Sequence, residues 1–181
     1  MLWSARADSR SRLSHMSISV REGVPGTVMP SPILESEEHG GRGQSGFAIA
    51  NDVTGTFSPV GAMSKPRYGH GATLLGDGSV LVTGGENNNS GVILADAQIF
   101  NPTTNAFSAV GAMTTPRTLH TAARLPDGTV LVTGGYGSSG VQASAEIYNP
   151  TLGSFAGIGN MNSPRYQHAA TLYRNAWKHA L

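Results

Sequence analysis

Three histidines stand three residues behind an arginine, in Pro66-Arg-Tyr-Gly-His70, Pro116-Arg-Thr-Leu-His120 and Pro164-Arg-Tyr-Gln-His168. Imidazole is the commonest metal ligand, and the planar guanidinium pairs carboxylates in a fork, so metal or anion binding is the first chemistry to weigh. The spacing argues against both. His70, His120 and His168 recur at one point of a repeated pattern, so each carries the same local duty and the three are expected apart from one another, hydrogen-bonded within their own repeats. Arg67, Arg117 and Arg165 are read likewise, as structural ion pairs or channel-lining groups.

Other chemistry is thin. The chain has no cysteine, which removes disulfides, thiolate metal sites and cysteine nucleophiles. Gly135-Tyr-Gly-Ser-Ser-Gly140 fits a dinucleotide fingerprint, but Val141 to Tyr148 reads as a loop and a strand, where that fingerprint must open a helix. Asp77 and Asp127 each precede a glycine and read as turn formers. No catalytic residue, cofactor or metal site is assigned. The stretch that varies between copies is the loop behind each Gly-Gly pair: Glu86, Asn87, Asn88 and Asn89 in one, Tyr136, Ser138 and Ser139 in the next. Loops on a repeated scaffold are where function diversifies, so these residues are the candidate interaction surface.

The elements that would carry these loops come from the repeat itself. Asn101-Pro-Thr-Thr-Asn-Ala-Phe-Ser-Ala-Val-Gly-Ala-Met113 restates, with few changes, what runs from Asn51 to Met63. A period near 50 residues marks stacked supersecondary units, none of which buries its apolar face alone. Within a unit four strands are expected. The first is Tyr68 to Leu75 or Thr118 to Leu125, ending at an Asp-Gly turn. The second, Ser79 to Thr83 or Thr129 to Thr133, holds Val-Leu-Val, a triplet that implies burial on both faces. The third is Ala97 to Phe100 or Ala145 to Tyr148. Beyond an Asn-Pro-Thr-Thr-Asn turn, Ala106 to Val110 forms the fourth. The 24 glycines among 181 residues, with only 13% charged, suit short strands joined by turns.

Four antiparallel strands per unit describe a propeller blade. The pattern Pro-Arg-x-x-His-x-Ala, Leu-x-Asp-Gly-x-Val-Leu-Val-x-Gly-Gly, Ala-Glu-Ile-Tyr-Asn-Pro and Phe-x-x-x-Gly-x-Met is similar to the kelch repeat, in the bacterial variety that resembles the galactose oxidase propeller. It covers Phe47 to Leu172. Phe57, Phe107 and Phe155 stand where many kelch repeats place tryptophan, and a large aromatic there still fills the space between blades. The resemblance implies an all-β fold of kelch-type blades that bind partners through loops at one face. It also implies, for galactose-oxidase-like enzymes, a copper site of tyrosine, histidine and a cysteine cross-linked to tyrosine, which a cysteine-free segment cannot form.

The expected organisation is a disordered leader over residues 1–46, kelch repeats over 47–173 and a non-repeat tail over 174–181. The repeats divide into a half blade at 47–63, full blades at 67–113 and 117–161 and a partial blade at 165–173. That is too few to close a ring, so the chain is read as an incomplete propeller, a fragment of a larger one, whose open blade faces allow self-association. The leading function is a non-catalytic interaction module for an unknown protein or carbohydrate ligand. Two alternatives stay open: a piece of a galactose-oxidase-like or carbohydrate-active enzyme with its catalytic residues elsewhere, or a truncated product without activity. With a net charge of +1, and five Lys or Arg against six Asp or Glu between Phe47 and Tyr173, nucleic acid is not an expected partner. No signal peptide or run of 18 apolar residues is visible, so no membrane is expected and the compartment stays open.

Overall fold

The computed structural model describes residues 34–37, 46–51 and 56–172, and side chains from residue 60 onward. Among these residues the chain is all strand and turn, without a helix. It opens on a three-stranded antiparallel sheet of β1 (Leu34–Glu37), β2 (Gly46–Asn51) and β3 (Thr56–Pro59), in the order β1-β2-β3. β1 lies within the 1–46 stretch read as a disordered leader, and Leu34–Glu37 pairs along its whole length with β2. The remaining leader positions and the 174–181 tail lie outside the described residues.

The first full unit supplies β4 (Arg67–Tyr68), β5 (Gly71–Leu74), β6 (Val80–Thr83), β7 (Glu86–Asn87), β8 (Ala97–Asn101) and β9 (Ala106–Val110). The second supplies β10 (Thr121–Arg124), β11 (Val130–Thr133), β12 (Tyr136–Gly137), β13 (Gly140–Val141), β14 (Ser144–Asn149) and β15 (Ser154–Asn160). Two four-stranded antiparallel sheets result, β5-β6-β8-β9 and β10-β11-β14-β15. Each Asp-Gly turn works as its residues dictate. Asp77 Oδ1 accepts from the Ser79 amide at 3.0 Å and its hydroxyl at 2.6 Å, while Gly78 takes φ +89°. Asp127, Thr129 and Gly128 repeat the arrangement.

The expected first strand is not continuous. Tyr68 and Gly71 belong to different pairings, β4 with β7 and β5 with β6, because Gly69 between them turns left-handed at φ +63°. Leu119 and Gln167 take the same turn at φ +55° and +52° without glycine's freedom, so in the second unit only Thr118 bridges Tyr136 before β10 begins. The Gly135–Gly140 segment closes the β12–β13 hairpin and opens no helix.

The two four-stranded sheets share one core. Leu75, Leu81, Ala97 and Met113 of the first unit meet Val130, Val132 and Tyr148 of the second, with Phe155 packed alongside. Behind the first sheet, Met63 and Val60 pack on Val82 and Phe107. Phe107 and Phe155 each tilt against the ring across the strand pair, Phe100 at 5.0 Å and Tyr148 at 4.9 Å between centroids. The Phe57 side chain lies outside the described residues.

Candidate functional site

Each unit is fastened by its arginine. Arg67 is 1% exposed and donates to the Gly84 carbonyl at 2.9 Å and to Asp96 Oδ2 at 2.7 Å. Arg117, fully buried, donates to the Gly134 carbonyl at 2.8 Å, the Ser144 carbonyl and hydroxyl at 3.0 Å each, and Glu146 Oε1 at 2.8 Å. Both are structural ion pairs rather than channel-lining groups, whereas Arg165 is exposed and donates to the Ser163 carbonyl. The glycine pairs beside these carbonyls take φ +57° and +96° at Gly84 and Gly85, and +62° and +98° at Gly134 and Gly135. A Cβ on Gly84 would strike the Arg117 carbonyl oxygen, so the pair is required by backbone approach as well as by φ.

The carboxylates that answer the arginines are not at equivalent positions. In the register set by Asn101 and Asn149, Asp96 matches Ser144 and Gln98 matches Glu146. Gln98 Oε1 accepts from the Ser64 amide at 3.3 Å; Glu146 accepts from the Thr114 and Thr115 amides at 2.7 and 3.2 Å while also holding Arg117. The second unit thus concentrates on one 1%-exposed glutamate the two jobs that the first divides between Asp96 and Gln98. Asp96 lies outside the motif pattern, and Glu146 stands within its Ala-Glu-Ile-Tyr stretch with no role assigned there, although each acid lies 29 residues behind its arginine.

The histidines overturn both expectations made of them. His70, His120 and His168 line one cavity of about 140 Å³ with Gly69, Leu119 and Gln167, because β5 and β10 run against each other and bring equivalent residues together. Their bonds cross between units. His120 Nε2 meets Thr83 Oγ1 at 2.8 Å and His168 Nε2 meets Thr133 Oγ1 at 3.1 Å, each threonine belonging to the unit before. The strand period identifies equivalent residues and is silent on which unit they reach.

Burial sets the charge of these rings. It pushes the His120 pKa down to about 3, helped by the charge of Arg117 and then by His70; the Arg117 backbone offsets a part, although His120 Nδ1 makes no hydrogen bond of proper geometry. His70 falls to about 4 through burial and then Arg67, and His168 is lowered by burial and then Arg165. All three imidazoles are therefore neutral at pH 7. Thr83, the hydroxyl on His120, is itself 1% exposed, so that pair cannot present a nucleophile to a substrate. Among the described residues no three of His, Cys, Asp or Glu are grouped to hold a metal ion.

The Gly-Gly loops emerge beside this cavity as ordered hairpins. In the first, β7 pairs with β4, the Asn87 amide donates to the Val92 carbonyl at 2.9 Å, the Gly91 amide donates to the Asn87 carbonyl at 2.8 Å, and Asn87 Oδ1 accepts from the Asn89 amide at 2.9 Å. Glu86 and Asn87 are half-buried; Asn88 and Asn89 are exposed. In the second, Tyr136, Ser138 and Ser139 are all exposed on the β12–β13 hairpin. The Tyr136 ring lies edge-on to Tyr166 at 6.2 Å, one residue from the cavity wall at Gln167. Tyr166 went unmarked because a residue of the third copy meets this hairpin only through the fold. No protein-family model and no curated protein matches the chain.

Proposed function

We propose that the chain is a kelch-type β-propeller segment acting as a non-catalytic interaction module, whose rim hairpins contact a protein or carbohydrate ligand. One observation supports this reading above others: Arg67 and Arg117, their acids, and His120 and His168 are engaged in holding strands and units together, while two ordered hairpins project from them with solvent-facing side chains. Tyr136 and Tyr166, 45% and 46% exposed, offer adjoining aromatic edges, and Asn88, Asn89, Ser138 and Ser139 add amide and hydroxyl groups. Rigid aromatics beside short polar side chains give contact area and hydrogen bonds at small entropic cost.

The test is a nuclear magnetic resonance titration of the chain with neutral oligosaccharides and with polar peptides. Shifts confined to Glu86–Gly91, Tyr136–Gly140 and Tyr166 are expected, with binding weakened about tenfold or more in Tyr136→Ala. Shifts centred elsewhere, or chemical turnover of a titrant, would count against the proposal.

A further inference from the structure

The two ends of the described chain are complementary. In both full units the sheet begins with a short innermost strand, β5 or β10, laid on β6 or β11. The N-terminal sheet has no such strand: β1 opposes β2 in the register of β6 on β8, with Leu34 across from Ile49 as Leu81 is from Ile99, and its outer edge is open among the described residues. At the other end the third copy offers the missing piece. Ala169 to Leu172 matches Gly71–Leu74 and Thr121–Arg124, yet joins no sheet among the described residues, and all four residues are exposed.

That segment is already aimed. The residues ahead of it dock on the second unit as Arg117 to His120 docks on the first. The Gly135 amide donates to the Arg165 carbonyl at 2.9 Å as Gly85 donates to Arg117 at 2.9 Å, and the Gln167 amide donates to Leu119 at 2.9 Å as Leu119 donates to Gly69 at 2.7 Å. The face beside it is the counterpart of a buried one. Leu81 and Val110 of the first unit lie in the core shared with the second; their equivalents Leu131 and Ile158 do not, and Ile158 is 55% exposed.

From this we infer that two copies of the chain associate head to tail, Ala169 to Leu172 of each adding the fourth strand to the β1-β2-β3 sheet of the other. Among the described residues each copy then accounts for three four-stranded sheets, and two copies for six, within the four to eight that close a ring. A head-to-tail contact that closes under twofold rotation gives a discrete pair, in which neither the β1 edge nor the 169–172 segment is left to recruit a further copy. The inference rests on the ring arrangement proposed above and not on ligand binding at the rim, so the two fail separately.

Solution mass tests it first: twice the 18.8 kDa of one chain is expected. Register tests it further. Ala72 pairs Val82, and the equivalents are Ala170 and Glu35. Mixing Glu35→Cys chains with Ala170→Cys chains, which carry no other thiol, should give a reducible covalent dimer that neither variant forms alone. The third measurement removes one ladder bond. The Leu75 amide donates to Ser79, which puts the next bonded pair at Thr73 and Leu81, and Thr171 is the equivalent of Thr73. Thr171→Pro should run at monomer mass while its two full units still unfold cooperatively, because the Thr171 amide makes no backbone bond among the described residues. A monomeric parent, an open-ended assembly, a pair without the cross-link, or a Thr171→Pro protein that stays paired would overturn the inference.

Discussion

The two full units bury the same cation and neutralise it differently. Arg67 meets Asp96, whose side chain is 29% exposed, with Lys65 also 3.8 Å from the same oxygen, while Asp96 Oδ1 is buried without a partner. Arg117 meets Glu146, 2% exposed at its side chain, and both Glu146 oxygens are satisfied. A partly wet carboxylate tolerates imperfect bonding because water screens the loss; a dry one must be fully bonded, since an uncompensated buried charge is costly. Equivalent arginines therefore make unequal contributions, and the second unit depends more heavily on a single side chain.

The widest gap between the units should appear when the acids are removed. Glu146→Ala leaves Arg117 charged and dry and is expected to cost about 3–5 kcal/mol in denaturant unfolding, against about 1–2 kcal/mol for Asp96→Ala. Equal losses would mean that the two ion pairs contribute alike. Transferring the arrangement, with Asp96→Ser and Gln98→Glu together, should recover most of what Asp96→Ala loses.

Acid probes the histidines at the junctions. Their folded pKa values lie below the ordinary 6.5, so the unfolded chain takes up protons first as pH falls. Stability is therefore whole above pH 6.5 and declines from there down to about 3 to 4, by about 1.4 kcal/mol per pH unit for each fully depressed histidine. Unfolding midpoints measured from pH 7 to 4 should show this slope reduced by about one proton in His120→Gln. His168→Gln, at a ring less buried than His120, should change it less.

Losing the threonine bonded to each junction histidine gives a smaller contrast. Thr83→Val strands a buried His120 Nε2 and should cost about 1–3 kcal/mol, whereas Thr133→Val, beside the less buried His168, should cost about 0.5–1 kcal/mol by thermal unfolding. Smallest of all is Tyr148→Phe. The Tyr148 hydroxyl is buried without a hydrogen bond, and Phe100 fills the equivalent place, so this change should be neutral or stabilising by up to about 1 kcal/mol in the same assay.

The sheets were legible in the residues because their signals are local. Asp-Gly turns, Val-Leu-Val triplets and Asn-Pro turns each report on four or five neighbours, and the strands fall close to where those signals put them. The break in the first strand was hidden because only one copy marks it: Gly69 announces a left-handed turn, and Leu119 and Gln167 do not. β1 carries no local signal of its own, since Leu34-Glu-Ser-Glu37 shares its composition with the residues around it. The candidate site was the least legible part. Loop residues Glu86 to Asn89, Tyr136, Ser138 and Ser139 were found from their variation between copies, but their hairpin order, the Tyr166 partner and the histidine-to-threonine bonds depend on how consecutive units stack.

The transposed acids also constrain how such a gene can be rearranged. Positions 96 and 98 together carry one negative charge in the first unit, and their counterparts 144 and 146 carry one in the second. An unequal crossover whose joint fell between the two codons would pair Asp with Glu or Ser with Gln. One product would crowd two anions round a single guanidinium and the other would leave that guanidinium bare, so viable exchange between these copies must transmit both positions as one block.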